Sequence, residues 1–185
     1  MNEPELIERA QRGEAAAWEA LVSSHQEPVF RLAFLMTGQA DEAADIAQET
    51  FLRAFQALGG FDPQRPLRPW LLRIAGNQAR NARRTLRRAL AAVQRIGRSD
   101  PPLPAADWTA GWSEAVTLWQ AVRRLGQADQ EIIYLRFFLD LSEAEAARAL
   151  DVAAGTAKSR LSRALGRLRA LIAAEFPTLC EEYEG

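Results

Sequence analysis

Pro69–Arg88, PWLLRIAGNQARNARRTLRR, reads as one helix, and this reading sets the class of the fold. At about 100° per residue, Leu71, Ile74, Ala75, Ala82, Leu86 and Ala89 gather on one side, and Arg73, Asn77, Arg80, Arg84, Arg87 and Arg88 on the other. The helix lies within a longer block, between Asp62 and Asp100, that carries ten arginines and no acidic residue. Guanidinium groups are forked, permanently charged donors and asparagine can read a base edge, so the mixed stripe suits a phosphate backbone with bases nearby. A solvated basic face or a membrane-surface helix are the competing readings. Nucleic acid is preferred over both, because the apolar side is narrow and alanine-rich and offers little to insert into lipid.

On the N-terminal side the block is preceded by a loop, GGFDPQRPLRPW, marked by its glycines and prolines. Before the loop, Asp41–Leu58 has acids in its first turn and Gly59-Gly60 past its last, which predicts a helix. Its expected core stripe is Ala47, Phe51, Ala54, Phe55 and Leu58. A second face, Asp45, Gln48, Glu49 and Leu52, follows the i, i+3, i+4, i+7 spacing and is polar except for the leucine, as a merely solvated face would also be. From Glu5 to Thr37 three helical segments are expected, with Gly13 and Pro28 as punctuation: one around Leu6, Ile7 and Ala10, one around Trp18, Leu21 and Val22, and one around Val29, Phe30, Leu32, Ala33 and Leu35.

On the C-terminal side, SDPPLPAADWTAGW has prolines at 101, 102 and 104 and no periodicity, as expected of a linker. Ser113 is an N-cap candidate for a helix through Val116, Trp119, Val122 and Leu125, and a further helix holds Ile132, Ile133, Leu135, Arg136 and Phe137. In DLSEAEAARALDVAAGTAKSRLSRALGRLRALI, Ser142 and Glu145 form a capping box for a short helix ending near Leu150. A longer helix begins at about Gly155, buries Ala157, Leu161, Leu165, Leu168 and Ile172, and turns Thr156, Arg160, Arg163 and Arg167 outward. Short helix, tight turn and longer basic helix is the helix-turn-helix order. No strand-like alternation occurs anywhere. The expected fold is all-α: two small helical domains joined by a flexible linker, with boundaries at 1–96, 97–112 and 113–185.

The formal charge of −1 over 185 residues hides this segregation. Lys158, Arg160, Arg163, Arg167 and Arg169 form a second acid-free block, while the acids cluster in the first sixty residues and at the C-terminus. One cysteine, Cys180, leaves no internal disulfide, and one histidine, His25, leaves no nitrogen set for zinc, so neither metal nor cofactor is expected. The N-terminus is acidic where a signal peptide would be basic, and no apolar run spans a membrane, so a cytoplasmic protein is expected.

Two motifs in fixed order carry a family resemblance. ADEAADIAQETFLRAFQALGGFDPQRPLRPWLLRIAGNQARNARR resembles region 2 of bacterial RNA polymerase sigma factors of the extracytoplasmic-function type, and DLSEAEAARALDVAAGTAKSRLSRALGRLR resembles their region 4. The resemblance implies a promoter-specificity subunit that has no active site and borrows that of the polymerase. It places core polymerase against Asp45, Gln48, Glu49 and Leu52. The melted minus-ten strand falls to the loop and the basic helix, at Phe61, Arg65, Arg68, Arg73, Asn77, Arg80 and Arg84. The minus-thirty-five duplex falls to Thr156, Lys158, Ser159, Arg160, Arg163 and Arg167. It also implies an anti-sigma factor as a further partner, a monomer when free, Trp70 packed in the core rather than stacked on DNA, and a structural His25.

Several residues depart from the family pattern: Gly76 interrupts the basic helix, Gln78 sits in its apolar stripe, Asn81 replaces a frequent aspartate and Asp151 stands where a turn glycine is common. Ala146, Ala153, Ala154 and Ala157 replace larger residues, which suggests loose packing of the helix-turn-helix. The competing functional reading is a polymerase-independent helix-turn-helix repressor or activator, which would be expected to dimerise, yet no dimer helix is evident. A nucleic-acid enzyme would need carboxylates beside the basic surface, and the block from Arg65 to Arg98 has none.

Overall fold

A computed structural model of the chain describes residues 2–93 and 113–175. The expected linker, Arg95, Arg98 and Cys180 lie outside the described residues. Among those described there are eight α-helices and no strand, divided into two compact units: α1–α4 form one, and α5, α6, α8 and most of α7 the other.

In the first unit, α1 (Glu3–Gln11) starts under an Asn2 cap that accepts from the Glu5 amide at 2.9 Å, with proline in its first turn. Gly13, at φ 88°, turns the chain into α2 (Ala15–Thr37), a conformation that only glycine adopts without strain. Across this turn Arg9 Nε donates to Glu14 at 2.7 Å, and that hydrogen bond holds the Glu14 carboxyl below the usual carboxylate range.

Helix α2 does not break at Pro28, where a third segment was expected to begin. Ala17, Leu21, His25, Val29, Leu32 and Met36 recur every three or four residues and are all buried. An internal proline costs about 3 kcal/mol, but burying a single Leu or Val side chain contributes about 1.5–3 kcal/mol, so this stripe outweighs the lost hydrogen bond. Gly38, at φ 80°, ends the helix and donates to Phe34 O at 2.8 Å.

Helix α3 (Ala40–Ala57) and the 3₁₀ turn Leu58–Gly60 bury Ala43, Ile46, Thr50, Ala54 and Leu58. Part of the expected stripe is therefore displaced. Phe55 is 53% exposed and Phe51 only half-buried, because both reach sideways to Trp18 of α2, at centroid distances of 5.3 and 6.3 Å.

Helix α4 (Leu67–Val93) runs unbroken through Gly76, which is itself buried. Its core side is Leu67, Leu71, Leu72, Ala75 and Ala79; Ile74 and Ala82 lie at the margin and Leu86 is exposed. Gln78 Nε2 is buried without a hydrogen-bond partner among the described residues.

In the second unit α5 (Ser113–Arg124) and α6 (Gln127–Ile133) meet at a corner held by Gln130, whose Nε2 donates to the carbonyls of Arg123 and Leu125 at 2.9 and 2.7 Å. The helix expected to contain Leu135–Phe137 widens there into a π turn, Tyr134–Phe138, with Leu139 N donating to Tyr134 O at 3.0 Å. The turn keeps Tyr134 fully buried between Trp119 and Phe138 while leaving Phe137 exposed.

Helices α7 (Glu143–Leu150) and α8 (Ala154–Glu175) flank the tight turn. Asp151 adopts φ 56°, the left-handed conformation in which the family's glycine would be unstrained. The small residues divide by position: Ala146 and Ala157 are buried, whereas Ala153 and Ala154 are exposed and forfeit no burial.

The capping box forms as expected, with Ser142 N donating to Glu145 Oε2 at 2.9 Å and Glu145 N to Ser142 Oγ at 3.3 Å. Ser142→Ala is expected to lower the stability of the second unit by about 1 kcal/mol, read as a reduced denaturant midpoint at constant slope.

Candidate nucleic-acid interface

On α4, Asn77 and Arg84 are exposed while Arg73 and Arg80 are half-buried. Asn77 Oδ1 accepts a hydrogen bond from Arg80 Nη2, and Asn81 Oδ1 accepts one from Arg84 Nη2 at 3.2 Å. Each asparagine thus orients the guanidinium one turn further on, which fixes the direction of a long side chain before any anion arrives. From the sequence Asn77 reads only as a base reader, although the N-x-x-R-N-x-x-R spacing displays this second role.

The loop before α4 carries Phe61, whose ring lies 4.6 Å from that of Trp70. Trp70, expected in the core, is only half-buried, because it stands one turn into α4 at the rim where the loop arrives. Arg65 is exposed and Arg68 half-buried. Asp62 organises the bend: its carboxylate accepts from Gln64 N at 3.0 Å and its carbonyl from Arg65 N at 3.0 Å.

Both ends of this loop are tied to α1, an arrangement the sequence did not disclose. Gln11 Nε2 donates to Leu58 O at 2.9 Å and to Phe61 O at 2.7 Å. Glu3 Oε2 accepts from Leu67 N, the first amide of α4, at 3.1 Å, and its other oxygen lies 2.9 Å from Nε2 of buried His25. His25 is structural, as expected.

On α3, Asp45, Gln48 and Leu52 are exposed on one face, Leu52 to 54%, with Glu49 beside them partly covered by an ion pair to Arg53 at 2.6 Å. The four residues singled out from the sequence therefore share one accessible stripe.

On α8, Thr156, Lys158, Ser159 and Arg163 are exposed and Arg160 is half-buried. Ser159 Oγ donates to Thr156 O at 3.0 Å, and Arg163 Nε to Ser159 O at 3.2 Å. Arg167 differs from the rest of its strip. Its Nη1 donates to Asp129 of α6 at 2.6 Å, and the Asp129 side chain is only 11% exposed. Among the described residues no cluster of three or more His, Cys, Asp or Glu could hold a metal ion, and no helix is long and apolar enough to cross a membrane.

One helical unit carries a basic, asparagine-studded α4 behind a tethered loop and the second carries a helix-turn-helix, a combination suited to DNA. Residues 21–89 match sigma-70 region 2 and residues 115–168 match sigma-70 region 4. The RNA polymerase sigma factor NccH of Alcaligenes xylosoxydans xylosoxydans is 35% identical over 173 residues, covering 90% of this chain and 92% of the relative. The ECF RNA polymerase sigma factor SigL of Mycobacterium tuberculosis is 32% identical over 168 residues, covering 88% and 93%. The solved structure of CnrH in complex with the cytosolic domain of CnrY superposes with a TM-score of 0.70 at 27% identity, covering 94% of this chain and 98% of that one. The chain belongs to the RNA polymerase sigma factors of the extracytoplasmic-function type.

Proposed function

We propose that this chain binds core RNA polymerase through Asp45, Gln48, Glu49 and Leu52 and directs it to promoters. Residues 1–96 form the polymerase-docking and minus-ten unit, 97–112 the linker and 113–185 the minus-thirty-five unit. Phe61, Arg65, Arg68, Arg73, Asn77, Arg80 and Arg84 face the melted strand. Thr156, Lys158, Ser159, Arg160 and Arg163 face the upstream duplex, with Arg167 at the edge of that surface. The observation that carries the reading is the coexistence, in one chain, of two separate basic helices and an exposed acidic stripe on α3. A repressor that works without polymerase has use for the helix-turn-helix but not for that stripe.

The chain contributes no catalytic group and works as a monomer in the cytoplasm beside the polymerase. CnrH was solved in complex with the cytosolic domain of CnrY, which supports a further protein partner here, in the place of the anti-sigma factor that the resemblance implies. Co-purification with core polymerase, followed by run-off transcription that requires a specific promoter, tests the assignment. Operator binding by the chain alone, without polymerase association, would favour the repressor.

Within this reading Asn77 acts partly through Arg80. Arg80→Ala and Asn77→Ala are expected to impair promoter opening more than closed-complex binding, and the double variant to be little worse than Arg80→Ala. Permanganate footprinting on duplex and premelted templates checks this. A loss that a premelted bubble leaves wholly uncorrected would remove these residues from the melting step.

A further inference from the structure

Helix α1 lies outside the stretch that matches region 2, yet it contacts the backbone at both ends of the loop between α3 and α4. Its last residue, Gln11, supplies one amide group to two carbonyls, Leu58 O and Phe61 O. Its first, Glu3, receives the amide of Leu67, where α4 begins. Nine residues of helix span roughly 12 Å between first and last Cα, so a rigid rod bridges the two anchor points of a segment that is bent locally by the Phe61 N–Leu58 O hydrogen bond and by Asp62. The rod is itself fixed: Ile7 and Ala10 are buried, and the second carboxylate oxygen of Glu3 is held by His25 of α2.

We infer that α1 is a splint that presets the Gly59–Pro66 loop for capture of the melted strand, with Gln11 and Glu3 as positioning residues that do not touch DNA. The inference rests on the assignment of this loop to the minus-ten strand. A captured base must recover its unstacking cost from a pocket already in shape, because ordering the loop at the moment of capture would subtract from affinity. The Phe61 carbonyl is held by Gln11 while the Phe61 ring lies beside Trp70, so the tether fixes the backbone from which that aromatic pair is presented.

The test uses Gln11→Met, which keeps the length of the side chain and deletes both donors, and Glu3→Gln, which keeps an acceptor for Leu67 N but removes the charge facing His25. Amide hydrogen exchange on the full chain reads the splint itself. Gln11→Met is expected to speed exchange across 59–67 about tenfold, the consequence of losing both hydrogen bonds, and Glu3→Gln to do so less.

The functional arm uses holoenzyme and a fluorescent single strand taken from the non-template minus-ten segment of a promoter selected by the wild-type holoenzyme from a random duplex pool. Gln11→Met is expected to weaken strand binding about five- to tenfold while leaving affinity for core polymerase and for the upstream duplex unchanged. Unchanged exchange in the loop overturns the splint. Faster exchange with unchanged strand affinity overturns its role in capture. A wild-type holoenzyme that ignores the strand overturns the minus-ten assignment, and the positioning role with it, whatever the exchange arm shows.

Discussion

Asp45→Arg combined with Glu49→Arg is expected to abolish association with core polymerase while the chain stays folded. Asp45 is exposed and Glu49 partly so, and neither supports the buried row of Ala43, Ile46, Thr50 and Ala54 on the opposite side of α3. Reversal therefore acts on the surface rather than on the core. Glu49 is paired with Arg53 in the free chain, but an exposed ion pair at this spacing is worth only about 0.3–0.5 kcal/mol, so a cationic partner can displace it. Placing arginine at 49 opposes Arg53 by a similar few tenths of a kcal/mol, too little to unfold the unit.

The effect on docking is larger, because two reversals change the interaction by four charge units and set like charges against the partner, which costs several kcal/mol. Pull-down of core polymerase together with thermal unfolding of the free variant decides the matter. Retained association at wild-type strength would move the docking surface off α3. Glu49→Gln alone is the graded control, expected to weaken binding and to make it less sensitive to salt.

The features that the sequence disclosed are those written locally. The Ser142 and Glu145 capping box needs only three residues of separation, and the turn after Leu150 follows from the break in apolar period on either side of it. The α3 stripe was legible because i, i+3, i+4 and i+7 positions share a face whatever they pack against.

The break expected at Pro28 is absent for a physical reason. Proline's local penalty is fixed, while the compensating burial of Leu21, Val29 and Leu32 belongs to tertiary structure. Hydrophobicity places Phe51 and Phe55 in the core and leaves out Thr50, which is fully buried. Aromatic area can be covered at a rim by another aromatic, as Trp18 does, so polarity alone misplaces part of the stripe, while Ala54 and Leu58 are buried as expected. The ties that shape the sites were beyond any periodicity: Gln11 reaches across 47 residues to Leu58, Glu3 across 64 to Leu67, and Arg167 across 38 to Asp129.

That last tie separates two arginines that the helical wheel had made equivalent. Arg160→Ala is expected to weaken recognition of the upstream element by about 1–3 kcal/mol if its guanidinium reads a guanine edge, with relaxed discrimination at one base position. If it touches only phosphate, affinity falls for every sequence and the slope of log affinity against log salt drops by about one. Arg167→Ala removes instead the partner of a nearly buried carboxylate. Leaving such a group unsatisfied costs about 1–3 kcal/mol, toward the lower end here because Arg167 is itself half-exposed and the pair is screened.

The expected signature of Arg167→Ala is a lower unfolding midpoint for the second unit, with the base-preference profile and the salt slope of the folded fraction both kept. Asp129→Asn should share the loss of stability, and the double variant should fall short of the sum of the two. A panel of single-base promoter variants, run with each protein at several salt concentrations, distinguishes the roles. Should Arg160→Ala leave affinity, profile and slope untouched while Arg167→Ala flattens the profile, the face of α8 that meets DNA is rotated from Arg160 toward Arg167, and Asp129 competes with DNA for that guanidinium.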